Sequence, residues 1–309
     1  MPYDTYQPIK AITLKLLSVV AFMSMASLIK ATADDVPTGE AVFFRSFFAM
    51  PILFTWLGWR GELRTGLKVK APFGHVIRGF VGASAMGMNF IALGLLPLPE
   101  VTAIGFAAPL MTVGLAAVML KERVGPFRLS MVALGLVGVM IVLWPRLTLE
   151  GASAGATLGA VLVLGSAGCR ALAQIQIRNL VKIDEPSAVV FWFTMTTTVL
   201  SLFTIPFGWV MPEGQVLVFL ILAGLLGGMG QILMTSAYRF AGAAVVAPFD
   251  YSSMLFALVV GYIFFAEVPT APMLIGAALV IAAGALIIWR EHSLGLKRGK
   301  ARSGVTPQG

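Results

Sequence analysis

Residues 245–265 read VVAPFDYSSMLFALVVGYIFF, a run in which Asp250 is the one charge. A bilayer core about 30 Å thick is crossed by roughly 20 apolar residues of α-helix, so the run has the length of a membrane span. The chain supplies ten such stretches between polar breaks, near 11–32, 39–59, 74–95, 99–120, 126–145, 155–177, 187–206, 216–239, 243–266 and 270–290. Of 309 residues 58% are hydrophobic and 12% charged, against about 25% charged in soluble domains. The fold class expected is therefore an all-α membrane protein with ten transmembrane helices. The breaks, such as ADDVPTGE (33–40), are short and rich in Pro, Gly or acids, and leave no room for a soluble domain. The N-terminal MPYDTYQPIK carries an acid and two prolines, so the first span reads as a retained anchor and not a cleaved signal.

Orientation follows from the basic residues. Of 22 Lys and Arg, 18 fall with the N-terminus, the loops after spans 2, 4, 6 and 8, and the tail, whereas only Lys30 and Arg146 fall on the other side. The positive-inside rule then places both termini in the cytoplasm, with the loop RGELRTGLKVKAPFGH (60–75) and the tail 291–309 solvated there. Shifting the chain by 145 residues superposes 78–144 on 223–289 and aligns Glu122 with Glu267 and Trp144 with Trp289. Two five-helix halves, 11–145 and 155–290, follow. Because five is odd, the second half lies upside down relative to the first, the inverted-repeat plan of many secondary transporters.

The segments AVFFRSFFAMPIL (41–53), VIRGFVGASAMGMNFIALGLLPLPEVTAIGFAAPLMTVGLAAVMLKERVG (76–125) and VVAPFDYSSMLFALVVGYIFFAEVPTAPMLIGAALVIAAGALIIW (245–289) resemble the two EamA-type repeats of the drug/metabolite transporter superfamily. The resemblance runs from about residue 11 to 290 and implies a ten-helix carrier of the bacterial inner membrane, similar to riboflavin and S-adenosylmethionine uptake members.

Charges inside a membrane cost at least about 2.5–3.5 kcal/mol each and should face a partner or a wet cavity. At about 1.5 Å per residue, Arg170 and Asp250 lie at one depth, with Gln231 level with them, Gln174 one turn from Arg170, and Trp192 and Tyr251 nearby. Two readings stay open for Arg170 and Asp250: a substrate site, with Asp250 also able to carry a coupling proton, or a salt bridge pinning spans 6 and 9. Asn89 is a further substrate-contact candidate. Arg45 is expected near the outer end, paired with Glu100 or serving as a gate. Arg78, Arg178 and Arg239 read as side chains snorkelling to the inner surface, and Glu122 and Glu267 as caps or loop tethers. Trp56, Trp59, Trp144, Trp209 and Trp289 are candidates for the membrane interface.

The lone Cys169 excludes an internal disulfide and a multi-cysteine metal site, and no Walker or GxGxxG pattern is present. The histidines, His75 and His292, sit near or beyond span ends, and no acids pair on a helix face, so neither catalysis nor a cofactor is expected. The reading is a secondary carrier of a small organic metabolite working by alternating access, riboflavin-like uptake first. The alternatives are an amino-acid-like or S-adenosylmethionine carrier, then a lipid-linked flippase. Expected partners are a small-molecule substrate, the lipid bilayer and a coupling proton, with a homodimer left open and no nucleic acid.

Overall fold

The computed structural model describes residues 7–63, 67–119, 125–147, 154–181, 183–241 and 246–303. These residues form helices joined by short turns: α1 (Pro8–Ala31), α2 (Thr38–Phe47), α3 (Ala49–Trp59), α4 (Pro72–Leu95), α5 (Leu98–Gly105), α6 (Ala107–Met119), α7 (Pro126–Leu147), α8 (Ala154–Leu180), α9 (Pro186–Leu202), α10 (Gly214–Phe240), α11 (Ser252–Phe265) and α12 (Ala271–Ser303). Proline opens α1, α4, α7 and α9, where its missing N–H costs nothing and its fixed φ suits the first turn.

Eight stretches are long and apolar enough to cross a membrane, and Ser187–Leu202 and Phe249–Phe265 are shorter apolar helices, giving the ten expected spans. In each long span only a third to a half of the residues are buried within the protein. The faces left outside are apolar, with Val118, Trp144, Phe264 and Trp289 more than 60% exposed, so hydrocarbon is their solvent.

Two spans expected to be continuous are broken. α2 ends at Phe47 and α5 at Gly105, and a proline stands four residues after each, Pro51 and Pro109. Proline cannot donate to the carbonyl four residues back and its ring crowds it, so the helix yields there. Span 9 opens with a tight 3-10 turn, Ala247–Tyr251, containing Pro248, and span 7 ends at Leu202 and not near 206. α11 stops where Ala266 takes a left-handed conformation, φ 52°, and this turn swings Glu267 back toward the bundle.

The packing follows the internal repeat. α1 lies along α10, and α4 lies along α8, two pairings that exchange when the halves are exchanged. α7 lies along α12, the last spans of the two halves. Phe106 and Tyr251, which the 145-residue shift superposes, meet with ring centroids 5.1 Å apart. The two halves thus touch through equivalent residues at the bends of spans 4 and 9.

Candidate functional site

The end of the bundle opposite the basic loops is bolted by partly buried charge pairs. Lys30 Nζ lies 3.0 Å from Glu267 and donates to the carbonyls of Leu93 and Leu96 at 2.9 and 2.7 Å. Glu267 also accepts the Leu98 N–H at 2.8 Å, so one carboxylate holds α1, the start of α5 and the end of α11. Arg146 grips Glu100 in two-pronged fashion at 2.9 and 2.7 Å, the geometry that makes guanidinium–carboxylate pairs strong. Glu40 accepts the Val210 N–H at 3.0 Å. The two basic residues that break the positive-inside pattern, Lys30 and Arg146, are therefore the partners of the acids at this end.

At the basic end an equivalent tether joins the start of α9 to the start of α4. Asp184 accepts the Lys70 N–H at 2.7 Å and faces His75 Nε2 at 2.8 Å, both side chains being buried. Burial works against the Asp184 charge, but the hydrogen bonds from Lys70, His75 and Ala71 outweigh it and hold the carboxyl below the ordinary aspartate value.

Beside this tether a cavity of about 660 Å³ enters the bundle between α3, α4, α8, α9 and α10. Its mouth carries Arg60, Glu62 and Glu185 at helix ends, and Arg60 and Glu62 pair with each other. Further in, Trp56 and Phe193 give aromatic walls while Arg78, Gln174 and Gln231 give polar ones. The Arg78 guanidinium lies over the Phe193 ring, 4.1 Å from its centroid, and its Nε and one terminal nitrogen have no hydrogen-bond partner. A narrow crevice continues past Val190, Phe193 and Gln231 to Arg45, which is 5% exposed and has an unpartnered Nε. Gly227 makes room for that arginine, since a Cβ there would sit 3.1 Å from Arg45 Nε.

The structure divides the residues that depth arithmetic grouped together. Gln174 and Gln231 share the cavity. Arg170 lies a turn away against the bend of span 4, its terminal nitrogen 3.5 Å from the Gly105 carbonyl, the acceptor that Pro109 leaves without a helical donor. Arg170 and Asp250 form no ion pair. Asp250 instead lies 2.5 Å from Lys15 Nζ, and Lys15 is 2% exposed, which corrects its placement with the cytoplasmic N-terminus. Tyr251 packs on Phe106 and seats its ring end against Gly284, where a Cβ would overlap the phenolic oxygen. Trp192 donates its indole N–H to the Leu67 carbonyl at 3.1 Å, and Asn89 is partly buried on α4 without lining the cavity. The expected Arg45–Glu100 pairing is also corrected, because Arg146 occupies Glu100. Arg78 does not snorkel to the surface: it is 9% exposed, held over Phe193. Glu122 and the side chains of Arg178 and Arg239 lie outside the described residues.

Residues 9–144 and 157–289 each match the EamA-like transporter family. The chain belongs to that family. Among its relatives, a riboflavin transporter of Rhizobium johnstonii is 28% identical over 82% of this chain and 82% of its own length. A riboflavin transporter of Vibrio cholerae is 30% identical over 77% of each chain. An S-adenosylmethionine uptake transporter of Rickettsia felis is 26% identical over 86% of this chain and 91% of its own length. A solved structure, titled only as the crystal structure of a protein, superposes with a TM-score of 0.64 at 20% identity over 91% of this chain and 98% of its own, a likeness of fold.

In this EamA-like chain the residues that sequence reasoning missed are Lys15, Arg78 with Phe193, Trp56, and the Lys30 and Arg146 partnerships. Lys15 had a signal, a lysine within the first turns of an apolar helix facing a chain with one otherwise unmatched acid, Asp250. Trp56 had none, because a tryptophan near a span end reads equally well as an interface anchor.

Proposed function

We propose that this chain is a secondary carrier of the bacterial inner membrane that takes up a small heteroaromatic metabolite of the riboflavin type by alternating access, with both termini cytoplasmic. The observation that carries the reading is the cavity of about 660 Å³ between helices of both halves, within the roughly 300–1,000 Å³ of small-molecule sites. Trp56 and Phe193 offer apolar faces for a flat ring, and Gln174, Gln231 and Arg78 offer groups that read its polar edge. The cavity opens at the end with the basic loops while the opposite end is bolted, so the conformation is the inward-facing one on the positive-inside assignment. Two relatives named as riboflavin transporters support the flavin choice. Outward opening requires the Lys30–Glu267 and Arg146–Glu100 pairs to part and the mouth around Arg60 and Glu185 to close. In the inward-facing state Arg170, Trp192, Asp250 and Tyr251 shape the bends and the inner loop, and Asp250 is the candidate for a coupling proton.

S-adenosylmethionine uptake is the second reading, favoured by the Rickettsia felis relative, which matches more of this chain than the riboflavin transporters do. The test is uptake of labelled riboflavin by bacterial cells that cannot synthesise it. Uptake above empty vector, lost in Gln231→Ala at equal membrane expression, supports the flavin reading; uptake equal to empty vector removes it and moves the assay to S-adenosylmethionine.

A further inference from the structure

Arg45 and Arg78 stand on neighbouring helices of the first half, at the deep end and on the wall of the cavity system; Arg78 lies over Phe193 of the second half, and Arg45 lines the same crevice as that ring. Each is at least nine-tenths buried; the Nε of Arg45, and the Nε and one terminal nitrogen of Arg78, have no hydrogen-bond partner. Neither has a carboxylate partner among the described residues: Glu40, on the same helix as Arg45, accepts the Val210 N–H, and the acids at the mouth are Glu62, held by Arg60, and Glu185 on the rim. The two guanidiniums also repel one another. A buried cation without a counter-charge is costly, and two together more so, yet the chain holds both in place with a glycine and an aromatic face. Of the other buried or partly buried cations, Lys15, Lys30 and Arg146 each have an acid, and Arg170, which lacks one, lies against the Gly105 carbonyl. The missing counter-charge therefore belongs to something that comes and goes.

We infer that the transported molecule carries an anionic group, a carboxylate or a phosphate, which Arg45 and Arg78 hold while an attached flat ring lies against Trp56 and Phe193. This rests on the carrier reading above, keeps its flat ring and adds a charge that riboflavin itself lacks. Arginine suits the task because its planar fork of N–H donors matches both carboxylate and phosphate oxygens. The same site disfavours a cationic sulfonium, which would meet two positive charges and no acid.

The test is thermal unfolding of the purified full chain in detergent with two pairs of probes that differ in charge and little else. One pair is riboflavin 5′-phosphate against riboflavin, and the other is N-acetyltryptophan against its uncharged amide. Each pair is read on wild type, Arg45→Gln and Arg78→Gln. The expected result is stabilisation by the anionic member at concentrations about tenfold or more below those its neutral partner needs, as one lost charge-assisted hydrogen bond implies. The first pair alone responding identifies phosphate, the second alone carboxylate. Each variant should lose the preference while its unliganded melting temperature stays or rises, because an uncompensated buried charge has been removed. An arginine with a purely structural role would instead lower that temperature. Equal response to charged and uncharged members of both pairs, no response to any probe, or an undiminished preference in both variants overturns the inference. Riboflavin uptake without charge preference leaves the carrier reading standing and removes this one; charge preference without flavin uptake does the reverse for the flavin.

Discussion

Replacing Gly276 by alanine should loosen the contact between the last spans of the two halves. Gly276 on α12 faces Gly138 on α7 so closely that a Cβ at 276 would lie 2.4 Å from the Gly138 carbonyl oxygen and 2.5 Å from a Val142 methyl. Ordinary van der Waals contact begins near 3.4 Å, so the atoms must part by about 1 Å. The Gly138 oxygen is backbone in a hydrogen-bonded helix and cannot rotate away, so two long helices must separate along their crossing. Overpacking of this kind costs about 1–3 kcal/mol. At roughly 2–4 °C per kcal/mol, thermal unfolding of the purified protein should show a drop of several degrees. Gly114→Ala is the control. Nothing lies within 4 Å of a Cβ there, and alanine is the better helix former, so the melting temperature should hold or rise slightly. Equal melting temperatures for Gly276→Ala and wild type would refute the close crossing of α7 and α12.

Three further outcomes follow from the charge pairs. A double-mutant cycle with Lys15→Met and Asp250→Asn should give a coupling of about 0.5–3 kcal/mol in unfolding free energy, since the groups are 2.5 Å apart; additive effects would contradict the pairing. Glu267→Ala releases both Lys30 and the Leu98 N–H, so in a Cys169→Ala background a cysteine at Leu98 should become reactive to a membrane-impermeant thiol reagent from outside, and unchanged protection would count against the bolt. Asp184 has a carboxyl held below its ordinary value in the folded state, so its tether stabilises above the unfolded pKa of about 3.9 and is lost as pH falls through the folded one. The melting-temperature gap between wild type and Asp184→Asn should therefore be full at neutral pH and close in acid, whereas a gap constant with pH would show that the tether does not depend on the Asp184 charge.

The ten spans were legible because lipid imposes a length and a composition, and both can be read from local runs of sequence. The two stretches that match the family, 9–144 and 157–289, have a signal in the span spacing and in the pairs Glu122–Glu267 and Trp144–Trp289, and little in identities. The breaks at Phe47 and Gly105 were in principle readable from Pro51 and Pro109, four residues on, but proline in a membrane helix also occurs without a break when neighbours accept the freed carbonyl. Partnerships were the least legible part. Depth along a helix can be counted, and it put Arg170, Gln231 and Asp250 at one level, with Gln174 a turn from Arg170. Azimuth around the bundle depends on how helices are arranged, and it sent Gln174 and Gln231 to the cavity, Arg170 to the Gly105 carbonyl and Asp250 to Lys15. Arg45 and Arg78 were misread for the same reason: counting residues to a span end does not reveal a cavity that reaches a side chain from within.

The most direct test of the carrier account is to fill the cavity. Thr235 lines it beside Gln231 and Trp56, so Thr235→Trp places an indole where the substrate should pass. In proteoliposomes loaded and unloaded with riboflavin, the wild-type protein should exchange labelled riboflavin across the membrane, and Thr235→Trp, reconstituted at equal amount and with an unchanged melting temperature, should fall to the level of protein-free vesicles. Exchange undiminished by the tryptophan would place the route elsewhere and contradict the account.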